Sequence, residues 1–464
     1  MDRPSAELLA RMPLAQAVLS LGQWAVDEDH LASLFERYRG RCYEKVISFP
    51  VMVQLIADAL LEHDGSGHQS FSRSREAGQL EATVQAAYGK LRRLPIPLST
   101  AFLNETADRL REVFPDEARR LGPPSLRGME VIILDGKAIK RVVRRLKKLR
   151  GASSGLLGGR ALVALEFATG MVVAMHAHGD GDANDVRFVP ELLPQVRRRI
   201  DGVRLWMADR QFCDLVQMEH FTGSGDHFLV RYNAKVSFHP DPGRPSREGI
   251  DGRGRCFREE WGRLGREDHT KRRDVRRITL CRPGEEDIAV VTDLLSAESY
   301  PAEDLLELYL HRWGIEQVFQ KVTEVFGLEG LIGGTPEATV FQFSFCLSLY
   351  NQIQLVRAYI ARHQARAPET VSLELLFVDV RRELIAWHVV VSSTATVEHF
   401  PPMTAPQVRS HLHRLLGPVW SARWIKSVNK KRRPHHPSRH REKTHASVFR
   451  ILHGIRQSSE AKDV

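Results

Sequence analysis

Through the first 122 residues the apolar positions recur at helical spacing. The segments "AELLARMPLAQAVLSL", "FPVMVQLIADALLEH", "EATVQAAYGKLRRL" and "STAFLNETADRLREVF" each carry one apolar stripe. The spacing predicts a helical N-terminal region, with "PIPLS" as an interruption and Ser99 or Thr100 as the cap of the last helix. After a Pro-rich linker at 121–125 the pattern changes period. "MEVIILDG" is a short β-branched run ending on Asp135 and Gly136, which reads as a buried strand. "RALVALEFATGMVVAMHAHGD" predicts two strands joined by a turn at Thr169-Gly170. A helix follows in "DANDVRFVPELLPQVRRRI", starting near Asp182 or Asn184. "VRLWMADRQF" alternates as a strand ending on Asp209, "DLVQMEHF" is a short helix, and "DHFLVRYN" a further strand. The predicted order is three strands, helix, strand, helix, strand.

Residues 234–290 break this rhythm with Gly, Pro and charge, then two strands around Pro283-Gly284, and predict a β-rich insertion. A long helix should follow Pro301, with Glu303 and Asp304 favourably placed against its N-terminal dipole. "TVFQFSFCLSLYNQIQLVRAYIA" predicts a second long helix, mostly buried, and further helix ends near Leu416.

Charge narrows the partner. Lys and Arg number 67 against 57 Asp and Glu, a formal net charge of +10, and this favours a polyanion. Eight basic residues and no acid lie between Lys137 and Arg150, and eight more between Lys426 and Lys443. Such runs are commonly solvated faces, but both suit DNA phosphates. The five cysteines form no CxxC and read as buried thiols in a reducing compartment. No signal peptide is evident, and no apolar stretch approaches the roughly 20 residues that span a bilayer. The expected setting is intracellular, without a membrane partner.

Candidate chemistry lies in three acids. Asp135 and Asp209 each close an apolar strand; if those strands are neighbours, the carboxylates stand side by side and need a compensating cation. In "YLHRWGIEQVFQK", Leu308, Ile315, Phe319 and Val322 mark a core stripe, with Tyr309, Arg312 and Glu316 along one border. Glu316 can then lean over the sheet edge. Three carboxylates on a rigid frame can hold two Mg²⁺ ions, roughly 3.5–4 Å apart, and Mn²⁺ can substitute. Each acid alone is as readily a turn or surface residue; the set carries the signal. His176, His178, Asp180 and Asp182 are too irregular for a metal site, and "HHPSRH" lacks zinc spacing.

These motifs resemble the DDE transposases of bacterial insertion sequences, in the insertion-sequence-four type group with its YREK signature. The resemblance covers roughly residues 75–450, with motifs at 131–136, 203–212 and 309–321. That group carries a ribonuclease-H-like core with the first Asp on strand one, the second on strand four, the Glu on a later helix, and a β-rich insertion between. Tyr309, Arg312 and Glu316 match the signature. Its Lys falls on Thr323, a departure; Lys321 comes two residues early and points about 160° from Thr323 on an ideal helix.

The resemblance implies an α/β fold: a helical N-terminal DNA-binding region (1–122), a ribonuclease-H-like catalytic core (123–233 and 291–360), the β-rich insertion (234–290), and a helical C-terminal region with a basic tail (361–464). It implies metal-dependent cleavage and strand transfer of double-stranded DNA, at the terminal inverted repeats of an element and at its target, by a homodimer in the DNA complex. Asp135, Asp209 and Glu316 would be the catalytic metal ligands. Tyr309, Arg312, Arg210, Lys137 and Lys140 would contact DNA. The rivals are a structure-specific nuclease on the same core and a catalytically inactive, transposase-derived DNA-binding protein.

Overall fold

A computed structural model describes residues 7, 10–63, 65–140, 142, 144, 146–152, 155–266, 272–325, 332–390, 402–426 and 445–455. Most of the basic tail therefore lies outside the described residues, as do Arg141 and Arg145 of the upstream basic run.

Among the described residues six α-helices precede the first strand: α1 (Pro13–Ala25), α2 (Glu28–Tyr38), α3 (Phe49–Leu61), α4 (Gly67–Glu76), α5 (Val84–Leu91) and α6 (Ile96–Glu112). Side-chain oxygens of Asp27, Ser48, Ser66 and Thr83 cap α2 to α5. The expectation that "PIPLS" interrupts the pattern is corrected. Pro95 is the N-cap of α6, and Pro97 sits in its first turn, where a missing N–H costs nothing and the fixed φ already suits a helix. Ser99 is thus inside α6, buried rather than capping.

The strands are β1 (Met129–Lys140), β2 (Gly155–Glu166), β3 (Val172–His178), β4 (Val203–Ala208), β5 (His227–Arg231), β6 (Phe238–Pro240), β7 (Arg247–Ile250), β8 (Cys256–Leu264), β9 (Arg273–Leu280), β10 (Ile288–Thr292) and β11 (His445–Ser447). One turn, α7 (Lys147–Arg150), follows β1; α8 (Val189–Arg197) and α9 (Leu215–Thr222) flank β4. After β10 come α10 (Ala302–Leu310), α11 (Trp313–Glu324), α12 (Pro336–His363), α13 (Leu373–Val390), α14 (Ala405–Leu416) and, beyond β11, α15 (Val448–His453). Apart from the single turn α7, the order of strands and α-helices through β5 is the one the sequence predicts.

All described strands join one mixed sheet in the order β11-β2-β1-β4-β5-β10-β9-β8-β6, with β3 also on β2 and β7 on β8. Pairing of β1 with β4, of β4 with β5 and of β2 with β11 is parallel, while β2 runs antiparallel to β1 and β3, and β10 antiparallel to β5 and β9. The strands of 234–290 continue this sheet through β10. Strand β1 also runs four residues beyond Gly136, because β2 is long enough to pair it as far as Lys140.

Alternation puts Val131 and Ile133 on one face of the sheet, and Ile132 and Leu134 on the other. The second face is covered by α8 and α9; the first by a large core shared with α1 to α6 and α10 to α14. At its centre α12 is buried along most of its length, as its composition predicts. Its Asn351 grips β3, accepting from Val172 N–H at 2.9 Å and donating to Val172 C=O at 2.7 Å. The β2–β3 turn needs Gly170: φ is +67°, and a Cβ would lie 2.8 Å from the Gln354 amide. Among the described residues no helix is long and apolar enough to cross a membrane.

One further expectation changes. Cys42, Cys213 and Cys346 are buried, but Cys256 is exposed and Cys281 half-buried. Both sit at one end of the β8–β9 pair, where Cys281 N–H donates to Cys256 C=O at 2.9 Å. Trp313, the first residue of α11, is 58% exposed.

Candidate active site

Strands β1 and β4 are parallel neighbours in register, Ile133 beside Met207 and Leu134 beside Ala208. The next residue on each is an acid. Asp135 and Asp209 follow the alternation of Ile133 and Met207, so both project toward the face covered by α11. Strand β4 stops there, so the carboxylates flank the opening where it leaves the sheet. The Asp135 carboxylate accepts from the Gly136 N–H at 2.8 Å. Asp209 opens a single 3₁₀ turn, and its Oδ1 is buried without a hydrogen-bond partner. An unpaired buried carboxylate oxygen is costly, and here the neighbouring strand carries a second aspartate in register.

The single long helix expected after Pro301 is two. The N–H groups of His311, Arg312, Gly314 and Ile315 bond three residues back instead of four, which tightens the chain, ends α10 and restarts as α11. Leu308, Ile315, Phe319 and Val322 still form the buried stripe. Beside it Tyr309 and Arg312 are both buried, Arg312 with 7% exposure. Glu316 is in the first turn of α11 and accepts from Arg312 Nη2 at 2.8 Å.

Arg312 is the fixed cation of this group. Its guanidinium lies 5.9 Å from the Tyr309 ring centroid. The fields of Tyr309, Asp209 and Glu316 favour its charged form against burial. Burial pushes the Asp135 carboxyl up to about 7, with Glu316 and Asp209 adding to the rise and Arg312 and the Gly136 N–H opposing it. The buried Tyr309 hydroxyl makes no hydrogen bond of good geometry, and burial raises its pKa.

Of the expected DNA contacts, Lys140 and Arg210 are exposed. Lys137 is half-buried, its Nζ 5.4 Å from the Phe319 ring centroid, and burial and Lys140 lower its pKa. Thr323 turns its hydroxyl back to the Phe319 carbonyl at 2.7 Å, while Lys321 pairs with Glu374 at 2.5 Å on another side of α11.

Asp185 is a neighbour that sequence reasoning missed. It is 2% exposed and accepts from Arg160 Nη2 at 3.1 Å and Gln211 Nε2 at 3.5 Å. A Cβ on Gly136 would lie 1.5 Å from its Oδ2. Asp185 thus packs directly behind the residue after Asp135 and reaches the turn after Asp209. The glycine following Asp135 was the available signal.

The oxygen-only donors and the orphaned Asp209 Oδ1 fit a hard divalent cation between the aspartates. Glu316 is within electrostatic reach but tied to Arg312; among the described residues no three His, Cys, Asp or Glu side chains form a ready metal-binding group.

Comparison with curated proteins finds no match. Among solved structures, a piggyBac transposase synaptic complex with hairpin DNA, determined by cryo-EM, is similar at 10% identity and a TM-score of 0.41, over 88% of each chain. Residues 126–352, which hold Asp135, Asp209 and Glu316, match the family described as "Transposase DDE domain", and this match supports a DDE transposase.

Proposed function

We propose that this chain is a transposase that cuts double-stranded DNA at the ends of its own insertion sequence and joins them to a target. The observation that carries the reading is the parallel register of β1 and β4, which sets Asp135 beside Asp209 on the face below α11. The order β3-β2-β1-β4-β5, with β2 antiparallel, supports the ribonuclease-H-like core.

In this reading Asp135 and Asp209 hold a divalent ion, Mg²⁺ or Mn²⁺, and Glu316 completes the set for a second. When bound, such ions polarise phosphate oxygens and lower the pKa of an attacking water. The chain's own part is to hold that geometry. Arg312 orients Glu316 and offsets repulsion between the aspartates, and the sheet fixes their separation. Hydrolysis breaks a P–O3′ bond and frees a 3′-hydroxyl. That hydroxyl then attacks a target phosphodiester, displacing another 3′-oxygen. Both steps need positioning and charge stabilisation rather than a covalent enzyme intermediate. Lys137, Lys140 and Arg210 meet the backbone near the cut. Tyr309 and Arg312 act from beneath, and the N-terminal helices recognise the element end, within a homodimer assembled on DNA.

The test is incubation with DNA carrying the flanking element ends and Mg²⁺, with the cleaved phosphates mapped. Joined product supports a transposase; cut DNA that is never joined points to a nuclease; no metal-dependent nicking at all would overturn both.

A further inference from the structure

A second site lies on another side of α11. A cavity of about 270 Å³ is enclosed by β1 and β2, the α10–α11 junction, α12 and the start of α13. Gln317 and Lys321 of α11 line it, whereas Glu316 lies about 100° around the helix from Gln317. The charges lining it do not balance. Glu166 is taken by Arg111 at 2.9 Å, Glu369 lies 3.8 Å from Arg120, and Lys321 has Glu374. Two cations are left over. Arg357, on α12, is 6% exposed and has no carboxylate within ion-pair distance among the described residues. Among the described residues its guanidinium makes one hydrogen bond, a long 3.4 Å contact to the Val371 carbonyl, and its buried Nε has no partner there. Lys426 has no ion-pair partner among the described residues either.

We propose that this cavity is a binding site for a phosphate group, with Arg357 as its buried anchor and Lys426 closing over it. An unpaired buried guanidinium is among the costliest groups a fold can carry, and a bound oxyanion removes that cost. The planar fork of arginine matches phosphate in two-point contact, and a lysine ammonium supplies a mobile point charge. The cavity holds a phosphate with room for an attached sugar, and the exposed Trp313 indole stands among its lining residues. Partial burial and the charges of Arg357 and Lys321 push the Lys426 ammonium down to about 8, so a bound anion should raise it again. The phosphate can come from a DNA strand or from a free phosphorylated small molecule. The site stands on the cavity alone, independent of the acids beyond α11.

The experiment uses the full chain. Thermal unfolding is followed with sodium pyrophosphate against sodium chloride at equal ionic strength, for wild type and Arg357→Met. Pyrophosphate should raise the wild-type Tm, more at pH 6.5 than at pH 9, and its apparent affinity should fall at least about tenfold in Arg357→Met. Removing an uncompensated buried charge should leave the unliganded fold as stable or more so. Should that variant fail to fold, Lys426→Gln, at the rim of the cavity, carries the same comparison. A duplex oligonucleotide identifies the source. If DNA supplies the phosphate, pyrophosphate competes with it and Arg357→Met lowers the salt slope of binding by about one. If the slope is unchanged while pyrophosphate binding is lost, the ligand is a small phosphorylated molecule. No pyrophosphate effect beyond chloride, or one equal in wild type and variant, overturns the site. Pyrophosphate binding without any DNA cleavage would leave the site standing and count against the transposase reading instead.

Discussion

The two ends of β4 treat a buried acid in opposite ways. Near its start, Asp226 is wholly enclosed and fully used. It accepts from Arg197 Nε at 2.8 Å, Arg204 Nη1 at 2.8 Å, the Arg204 N–H at 3.1 Å and Trp206 Nε1 at 3.1 Å. At its finish, Asp209 keeps a buried oxygen with no partner, beside an Asp135 whose carboxyl is pushed up to about 7. Six residues of strand separate architecture from a site held in electrostatic tension. Burial alone therefore does not separate the two acids; whether it is satisfied does.

Substituting each acid separates the two roles. Asp226→Ala strands two arginines, one of them buried, and should cost roughly 3–5 kcal/mol in urea unfolding. Asp209→Ala should change stability by less than about 1 kcal/mol, yet reduce DNA cleavage on the order of a thousandfold or more, with end binding retained. Asp135→Ala and Glu316→Ala should behave like Asp209→Ala in the cleavage assay. Cleavage surviving any of these three removes that residue from the proposed site.

The packing behind the site offers a middle-sized effect. Gly136→Ala drives a methyl into Asp185 and should cost roughly 2–3 kcal/mol, measured as a shift in urea midpoint at constant slope. An unchanged midpoint would mean that Asp185 moves aside freely.

Asp135 then gives a pH signature. Its folded pKa, about 7, is above the unfolded value, so the folded state binds the extra proton. The stability this contributes is complete below about pH 4 and is lost as pH rises through about 7. Asp135→Asn should abolish that slope and stabilise the chain at pH 8 by on the order of 1–2 kcal/mol, less than the full linkage value because the carboxyl is partly solvated. Parallel pH–stability curves for wild type and Asp135→Asn would refute the tension at this end of β4.

The smallest effect concerns Thr323. Its hydroxyl is turned back on the helix, and a lysine there could reach a DNA phosphate. Thr323→Lys should tighten binding of cleaved ends by up to about 1 kcal/mol at low salt, fading as salt is raised. Unaltered binding at both salt levels would place position 323 away from the DNA.

Much of this comparison was legible beforehand. Two apolar runs ending in acids are enough to put Asp135 and Asp209 at strand ends, but their adjacency stood there only as a condition, and the parallel pairing of β1 with β4 supplies it. The stripe Leu308–Ile315–Phe319–Val322 correctly turned α10 and α11 toward the core. The break between those helices was not legible, since His311 and Arg312 have no Pro, and the tight bonds there accompany a guanidinium buried among acids distant in sequence. Asp185 escaped for a related reason. Its contact with Gly136 joins residues 49 apart and leaves no period in either segment. Strand β1 was cut short because its last four residues owe their conformation to β2 rather than to their own polar sequence.

The central helix α12 has a consequence for how the chain is made. Helix α6 packs on it through contacts such as Thr106 to Ser348, 242 residues apart in sequence. Asn104, on the same helix, reaches forward to Met175. At about 5–20 residues per second, the ribosome needs roughly 13–50 s to travel from the end of α6 to the end of α12. For that interval the N-terminal helices exist with an apolar face and no partner to cover it. Such long-range closure makes for slow folding, and the exposed face is a target for holdase chaperones and for association between nascent chains. Yield of folded protein should thus depend on how quickly residues 336–363 follow, so slowed translation between residues 112 and 363 is the point at which this chain is easiest to lose.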